Sequence, residues 1–276
     1  KRELKINKVK TTPKNFKTVL KTVLFSTADL LLLRGNPSDR RDWLDRAISQ
    51  VYPAYDERLS KYDKIRIQKN NLLKDYLKTG NSNDTLLDVY NEQLVITGSN
   101  IIYLRKKFLK EIEKTACEKH RIISETEELK IDYDCSFLND ECELEDIASA
   151  FKTSLEERRT EEMRRGQSCV GPHRDDIIFY INNNEATKYA SQGQQRTIVL
   201  ALKLSELDII TAKTGDEPVL LLDDVLAELD DLRQNYLLKS INSNTQTVIT
   251  SVDTVLFEEE FLKDVKIYKI ENGAVK

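Results

Sequence analysis

The sequence predicts an α/β fold: a mixed sheet flanked by helices, with a mostly helical lid or arm inserted into it. Three observations lead there. The run Pro218-Val219-Leu220-Leu221-Leu222-Asp223-Asp224 is apolar without a break and stops at two carboxylates, as a parallel strand buried on both faces does. Upstream, Ser191-Gln192-Gly193-Gln194-Gln195-Arg196 opens a helix in which Ile198, Leu202, Ser205 and Ile209 recur at helical spacing. Strand-like segments lie toward both ends of the chain and long helices lie between, so the ends complete one sheet around an insertion. The chain divides accordingly into 1–40 and 164–276, the head, and 41–163, the insertion.

Residues 1–35 read as strands. Leu4, Ile6 and Val9 alternate with Lys5, Lys8 and Lys10; Val19-Leu20 and Val23-Leu24-Phe25 flank Lys21-Thr22; Asp29-Leu30-Leu31-Leu32 follow. Gly35 and Pro37 mark a turn, Ser38 is the expected cap, and a helix runs on through Trp43, Leu44, Ala47 and Ile48. Leu59, Tyr62, Ile65, Leu72 and Leu73 give the face of a helix from Tyr55 to Tyr76, and the stretch from Thr79 to Asp84 is a loop. A second long helix, Leu86 to Ile123, carries an apolar face at Ile101, Ile102, Phe108, Leu109 and Ile112. Its other face bears Lys106, Lys107, Lys110 and Lys114, the pattern of a solvated surface. A strand from Ile131 to Phe137, an acidic linker and a helix from Leu144 to Arg165 complete the insertion. That helix ends in Arg158, Arg159, Arg164 and Arg165, which either complement its dipole or contact DNA. Strands resume with Ile177 to Ile181 and Ala186 to Tyr189, then Thr247 to Ser251, and a hairpin closes the chain over Lys266 to Gly273.

The two central signals carry the chemistry. Ser191 and Gln194 have the S-x-x-Q spacing of a capping box, which makes Ser191 the expected N-cap. A helix start with Gly193 beside its cap offers bare N–H groups to a phosphate. Open α/β sheets collect ligands at the carboxyl ends of their strands, where Asp223 and Asp224 would lie. An acid there helps hold the Mg²⁺ of a nucleoside triphosphate, and its neighbour can orient or deprotonate the attacking water. Each signal alone also has a plain structural reading: a capped amphipathic helix, and a core strand reaching the surface. Arg34, Arg40 and Arg41 form a basic helix start, either solvated surface or a phosphate or DNA contact.

Composition narrows the class. The 276 residues suffice for one large domain or two modest ones, and 33% charged residues with only 8 Gly and 5 Pro describe a helix-rich chain without disordered or fibrous bias. No run of 18 apolar residues is present, and the start lacks the apolar core of a signal peptide. Cys117, Cys135, Cys142 and Cys169 show no C-x-x-C spacing and no zinc pattern with His120 or His173, so they read as reduced thiols of a cytoplasmic protein. A net charge of −4 argues against a polycationic nucleic-acid coat, so any DNA contact must come from a local patch.

Taken in order, the Ser191–Arg196 segment, the strand ending at Asp223-Asp224 and Ala227-Glu228-Leu229-Asp230 resemble the signature motif, Walker B and D-loop of ABC-type ATPases. Gly171-Pro172-His173-Arg174-Asp175-Asp176, the stretch from Tyr189 to Thr197, Leu221 to Val225 and Arg34 to Arg41 are close to the pattern of the RecF family of bacterial DNA replication and repair proteins, over nearly the whole chain. The resemblance implies ABC-type heads that dimerise around ATP and Mg²⁺ and bind DNA near single-strand/double-strand junctions. It also implies mediator partners that help load recombinase at gaps. By the same resemblance, Asp223 is the Mg²⁺-holding acid, and Asp224 is the catalytic acid where most ABC enzymes carry Glu. The shorter side chain implies slow hydrolysis. Ser191 and Gly193, with Gln192 and Gln194, would meet the γ-phosphate of nucleotide bound by the other protomer. Phe25-Ser26 falls near the family's Q-loop, with Thr27-Ala28 in place of the usual Pro-Glu, and no His occurs near Ser251. The phosphate loop G-x-x-x-x-G-K-[ST] is absent; the resemblance places it upstream of Lys1, so the chain is expected to be N-terminally truncated and inactive alone. Two alternatives stand beside this reading. One is a head of the chromosome-maintenance or double-strand-break type, whose coiled coils run to hundreds of residues. The other is a DNA-binding scaffold that has lost nucleotide.

Overall fold

The computed structural model describes residues 3–80, 83–138, 143–241, 244–252, 257, 259–262 and 265–276. A hairpin of β1 (Lys5–Ile6) and β2 (Val9–Lys10) and helix α1 (Pro13–Val19) precede strand β3 (Thr22–Ser26) and the short α2 (Leu31–Arg34). Next come α3 (Pro37–Val51), α4 (Tyr55–Thr79), α5 (Asp84–Ser124), β4 (Leu129–Asp134), α6 (Leu144–Glu157) and α7 (Arg159–Arg165). The last part holds β5 (Asp176–Ile181), β6 (Asn184–Glu185), α8 (Ala186–Tyr189), α9 (Gln192–Thr214), β7 (Val219–Asp223), α10 (Asp231–Ser240) and β8 (Thr247–Thr250). It closes with α11 (Glu259–Leu262) and a hairpin of β9 (Ile270–Glu271) and β10 (Ala274–Val275).

The expected sheet forms, with the mixed strand directions divided between two sheets. A parallel sheet of order β3-β7-β8 joins the beginning of the chain to its end. An antiparallel sheet of order β4-β5-β6 joins the insertion to the last part. The long helix α5, 41 residues and hence about 60 Å at 1.5 Å per residue, packs along α9. One hydrophobic core therefore runs through both regions, from Val23, Phe25 and Trp43 to Phe108, Phe151, Phe179, Ile198 and Leu222. Gly98 lets α5 cross its neighbours: a Cβ there would sit 2.6 Å from the Phe151 ring and 3.0 Å from Tyr62.

Several local expectations change. The stretches 13–19 and 31–34 are helical, not strands. Thr12 caps α1, with Pro13 at its first position, and Asp29 closes a capping box on Ser26, which starts a 3₁₀ turn leading into α2. The four residues of α8 form a helical turn before the cap of α9. The expected Leu144–Arg165 helix breaks at Arg158 (φ −89°, ψ 1°) into α6 and α7. The strand of the insertion starts earlier and ends earlier than its apolar run suggests, and residues 266–268 lie outside the closing hairpin. The acidic linker and Cys142 fall on or beside residues outside those described.

The parallel sheet is buried on one face only. Val23, Phe25, Leu220 and Leu222 point into the core, whereas Leu24 and Val248 on the other face are 47% and 49% exposed. A strand pattern cannot say which faces are covered; apolar residues at every position fit burial on both faces, and here the second face is covered only in part, with Val219 and Leu221 of the central strand half-buried. No described helix is long and apolar enough to cross a membrane.

Candidate functional site

The carboxyl edge of the parallel sheet brings three polar residues into one row. Register pairs Ser26 with Asp223, and Asp223 with Thr250. The Thr250 hydroxyl donates to Asp223 Oδ1 at 2.8 Å and accepts from the Asp224 backbone N–H at 3.0 Å. Asp224 takes a left-handed conformation (φ 55°), one that Asp tolerates better than most residues and that ends the strand abruptly. Both carboxylates are exposed. Behind the row, Asp29 accepts from the Ser26 N–H at 2.7 Å and meets buried Lys203 of α9 at 3.0 Å. Lys203 also meets Glu206 at 3.5 Å, which accepts from Trp43 Nε1 at 3.2 Å. Among the described residues no group of three His, Cys, Asp or Glu is gathered for a metal. The row suits Mg²⁺ nonetheless, because that ion keeps several waters and takes one or two protein oxygens beside substrate phosphates.

The second cluster is the start of α9. Ser191 is its N-cap in a complete capping box: its hydroxyl accepts from the Gln194 N–H at 3.3 Å, and Gln194 Oε1 accepts from the Ser191 N–H at 2.8 Å. Ser191 and Gln192 are exposed. A Cβ on Gly193 would meet nothing closer than 3.5 Å, so no group of this chain demands glycine there. Gln194 Nε2 also donates to Glu127, between α5 and β4, at 2.8 Å. Glu127 in turn lies 3.7 Å from buried His120, whose ordinary pKa is lowered by burial. The residues after the carboxylates are tied to α9: Glu228 pairs with Arg196 at 2.5 Å, and Asp230 caps α10 and pairs with Arg233, which donates to Thr197 at 2.8 Å. Among the described residues no hydrogen bond or ion pair joins Ser191–Gln194 to Asp223 or Asp224.

The basic cluster splits. Arg34 is exposed and donates to Gln195 of α9 at 2.7 Å, beside the capped helix start. Arg40 is not a surface phosphate contact. Its side chain is 6% exposed and forks onto Asp176, with Nε and Nη2 both at 2.7 Å, while Nη1 reaches the Leu32 and Gly35 carbonyls. Arg41 is half-buried and donates to the Asp175 carbonyl at 2.6 Å; burial pulls its pKa down. The reason is the Gly171–Asp176 segment, which threads between elements and takes a bond from each. Arg105 of α5 donates to the Pro172 carbonyl at 2.6 Å and to Asp45 of α3 at 2.8 Å; Tyr62 of α4 meets His173 at 2.7 Å. Tyr133 of β4 donates to Asp175 at 2.6 Å. Gly171 (φ +123°) is needed, since a Cβ would lie 2.4 Å from the Tyr62 hydroxyl. Three of the four arginines near α7 are also paired: Arg158 and Arg165 with Glu161, and Arg159 with Asp84 and Asp88.

Thr250, Lys203 and Glu127 escaped the sequence reading. Thr250 is one residue from a strand end already recognised, and only the pairing of β8 with β7 reveals its role. Lys203 and Glu127 act across distances in sequence that no local spacing marks.

No family model matches the chain. It is 40% identical over 258 residues to the DNA replication and repair protein RecF of Bacillus subtilis (strain 168), covering 93% of this chain and 70% of the relative. It is likewise 40% identical to RecF of Natranaerobius thermophilus, over 100% of this chain and 74% of that protein. Among solved structures, the recombination mediator protein RecF-ATP of the RecFOR pathway superposes with a TM-score of 0.88 at 35% identity, over 99% of this chain and 71% of that one. Identity at this level over two thirds or more of each relative settles the family: the chain belongs to the RecF family of DNA replication and repair proteins.

Proposed function

We propose that the chain is part of an ATP-dependent DNA-binding protein of recombinational repair, in which ATP and Mg²⁺ lie between two copies of the head. The observation that carries this reading is the separation of two complementary half-sites on one chain. Asp223, Asp224, Ser26 and Thr250 line a strand edge, and the Ser191–Gln194 helix start is open to solvent elsewhere. Among the described residues no hydrogen bond or ion pair joins the two clusters, and each keeps exposed polar groups of its own. The reading assigns one nucleotide to clusters from two different copies, each chain supplying one cluster to either nucleotide.

In that arrangement Asp223, steadied by Thr250, would hold Mg²⁺, and Asp224 would orient or deprotonate the attacking water. The bound ion supplies charge neutralisation on the phosphates. Ser191 and the bare N–H groups at Gln192 and Gly193 would face the γ-phosphate of the partner's nucleotide. The unforced glycine at 193 supports close approach of such a ligand. The related RecF structures, whose complexes include RecF-ATP, support the nucleotide. DNA binding at junctions, with mediator partners, rests on the family and on exposed cations; of Arg34, Arg40 and Arg41, Arg34 alone is exposed.

Sedimentation tests the reading. The 276 residues contain no phosphate loop, so they alone should not dimerise with ATP. Fused downstream of a relative's phosphate-loop segment, they should form dimers with ATP, and Ser191→Arg should abolish the dimer while sparing nucleotide binding. Dimers that survive Ser191→Arg would refute the shared site, and absence of nucleotide binding by the fusion would favour a scaffold that has lost nucleotide.

A further inference from the structure

A groove of about 580 Å³ opens on the insertion, between α6, α7 and residues 169–174. Its size falls in the range of roughly 300–1,000 Å³ typical of ligand sites. Phe137 and Val170 give it an apolar base, and its rim is cationic. Arg158 and Arg165 share the carboxylate of Glu161, at 2.7 and 2.8 Å; with Glu157 and Arg174 the lining holds three arginines against two glutamates. Arg174 is exposed and donates to the Ser168 carbonyl at 3.1 Å; among the described residues it has no carboxylate partner.

We infer that this groove docks a short acidic segment of a partner protein, with a carboxylate on Arg174 and an apolar side chain over Phe137 and Val170. Charge complementarity selects the occupant. Arginine pairs with carboxylates through two parallel N–H donors, and an apolar floor rewards a side chain that a sugar-phosphate backbone does not carry. The groove shares no residue with the nucleotide half-sites, so this docking stands or falls apart from the reading of ATP.

Fluorescence anisotropy on the 276-residue chain tests it. The probes are a labelled decapeptide alternating Glu and Leu, its Gln/Leu counterpart, a Lys/Leu counterpart and a single-stranded oligonucleotide. The Glu/Leu peptide is expected to bind at least tenfold more tightly than the Gln/Leu peptide. Arg174→Ala should weaken it about tenfold, or ~1.4 kcal/mol. Arg174→Glu should abolish it and admit the Lys/Leu peptide. Thr153→Trp, from an exposed position on α6, should block the groove whatever the charge. Bound peptide should also slow alkylation of Cys169, which lines the groove, as read by mass spectrometry. The docking is overturned if the Glu/Leu peptide does not bind, if the Gln/Leu peptide binds equally, or if Arg174→Ala and Thr153→Trp change nothing. An oligonucleotide that competes with the peptide and is lost with Arg174→Ala would make the groove a nucleic-acid contact instead.

Discussion

Replacing Arg40 by Ala separates a structural role from a DNA contact. The guanidinium makes two 2.7 Å bonds to Asp176 and two longer ones to the Leu32 and Gly35 carbonyls, with side chains 6% and 15% exposed at the two ends of the pair. Removing one partner of a buried pair costs about 3–5 kcal/mol, because the other charge stays behind in a poor solvent. Asp176 keeps a bond from the Ile177 N–H at 2.7 Å and some water, which places Arg40→Ala near the lower end, ~3 kcal/mol. For a chain of this size each kcal/mol moves the melting temperature by about 2–4 °C, so a fall of roughly 6–12 °C is expected. Arg40→Met with Asp176→Asn should recover at least half of it, since no charge is then stranded. Urea titrations followed by circular dichroism give the stabilities, and DNA binding at several salt concentrations gives the contact. A surface phosphate contact would do the reverse: unchanged stability, with the salt slope reduced by about one. That second outcome would refute the buried-pair account.

Other substitutions test other parts. Arg34→Ala, at an exposed position, should change stability by no more than ~0.5 kcal/mol and weaken DNA binding alike for all sequences; a change in sequence preference at a fixed salt slope would count against it. Ser191→Ala removes the cap of α9 and should cost about 1 kcal/mol, seen also as faster amide exchange at Gln194; unchanged exchange there would contradict the capping geometry. In the ATP-competent fusion, Asp224→Asn should preserve the dimer and slow hydrolysis, and loss of the dimer would instead give Asp224 a binding role. Burial lifts the Asp175 carboxyl to about 6 from 3.8, against the pull of Tyr133, Arg105 and Arg41. The folded state therefore prefers it protonated, and the stability it contributes is fully present below about pH 3.8 and lost as pH rises through about 6. Asp175→Asn keeps an acceptor for Tyr133 and should flatten the stability curve across that window by up to ~3 kcal/mol; a curve of unchanged shape would show that Asp175 is not the group responsible.

What was legible in the sequence was periodic or chemically punctuated. The S-x-x-Q cap of α9 and the strand ending at Asp223 depend on neighbours within a few residues, and both form at the residues expected, though the strand is fully buried on one face and not on both. The joining of the chain's two ends follows from a helical middle between strands, and β3 does pair with β7. Leu30-Leu31-Leu32 misled because a short apolar run has no period; the Asp29 box on Ser26, not the leucines, decides its conformation. Arg40 and Arg41 misled for another reason. A basic cluster at a helix start looks solvated until Asp175 and Asp176, more than 130 residues later, fold against it. Long-range pairing of charges leaves no local trace, and the same holds for Lys203 with Asp29 and Glu127 with Gln194.

The two clusters of the proposed nucleotide site are anchored differently. Asp223 and Thr250 sit on adjacent strands of one parallel sheet, locked in register with Ser26 and backed by Asp29 and Lys203. A strand edge held on both sides moves only with its sheet. The start of α9 is held from both sides: Arg34 donates to Gln195 and Glu228 pairs with Arg196, while Gln194 holds the Ser191 N–H and donates to Glu127, three residues after α5. A shift of the α5 terminus relative to the head would displace an acceptor of Gln194, whereas among the described residues Asp223 has no hydrogen bond to the insertion. The helix start, unlike the carboxylate edge, is thus hydrogen-bonded to a residue of the insertion.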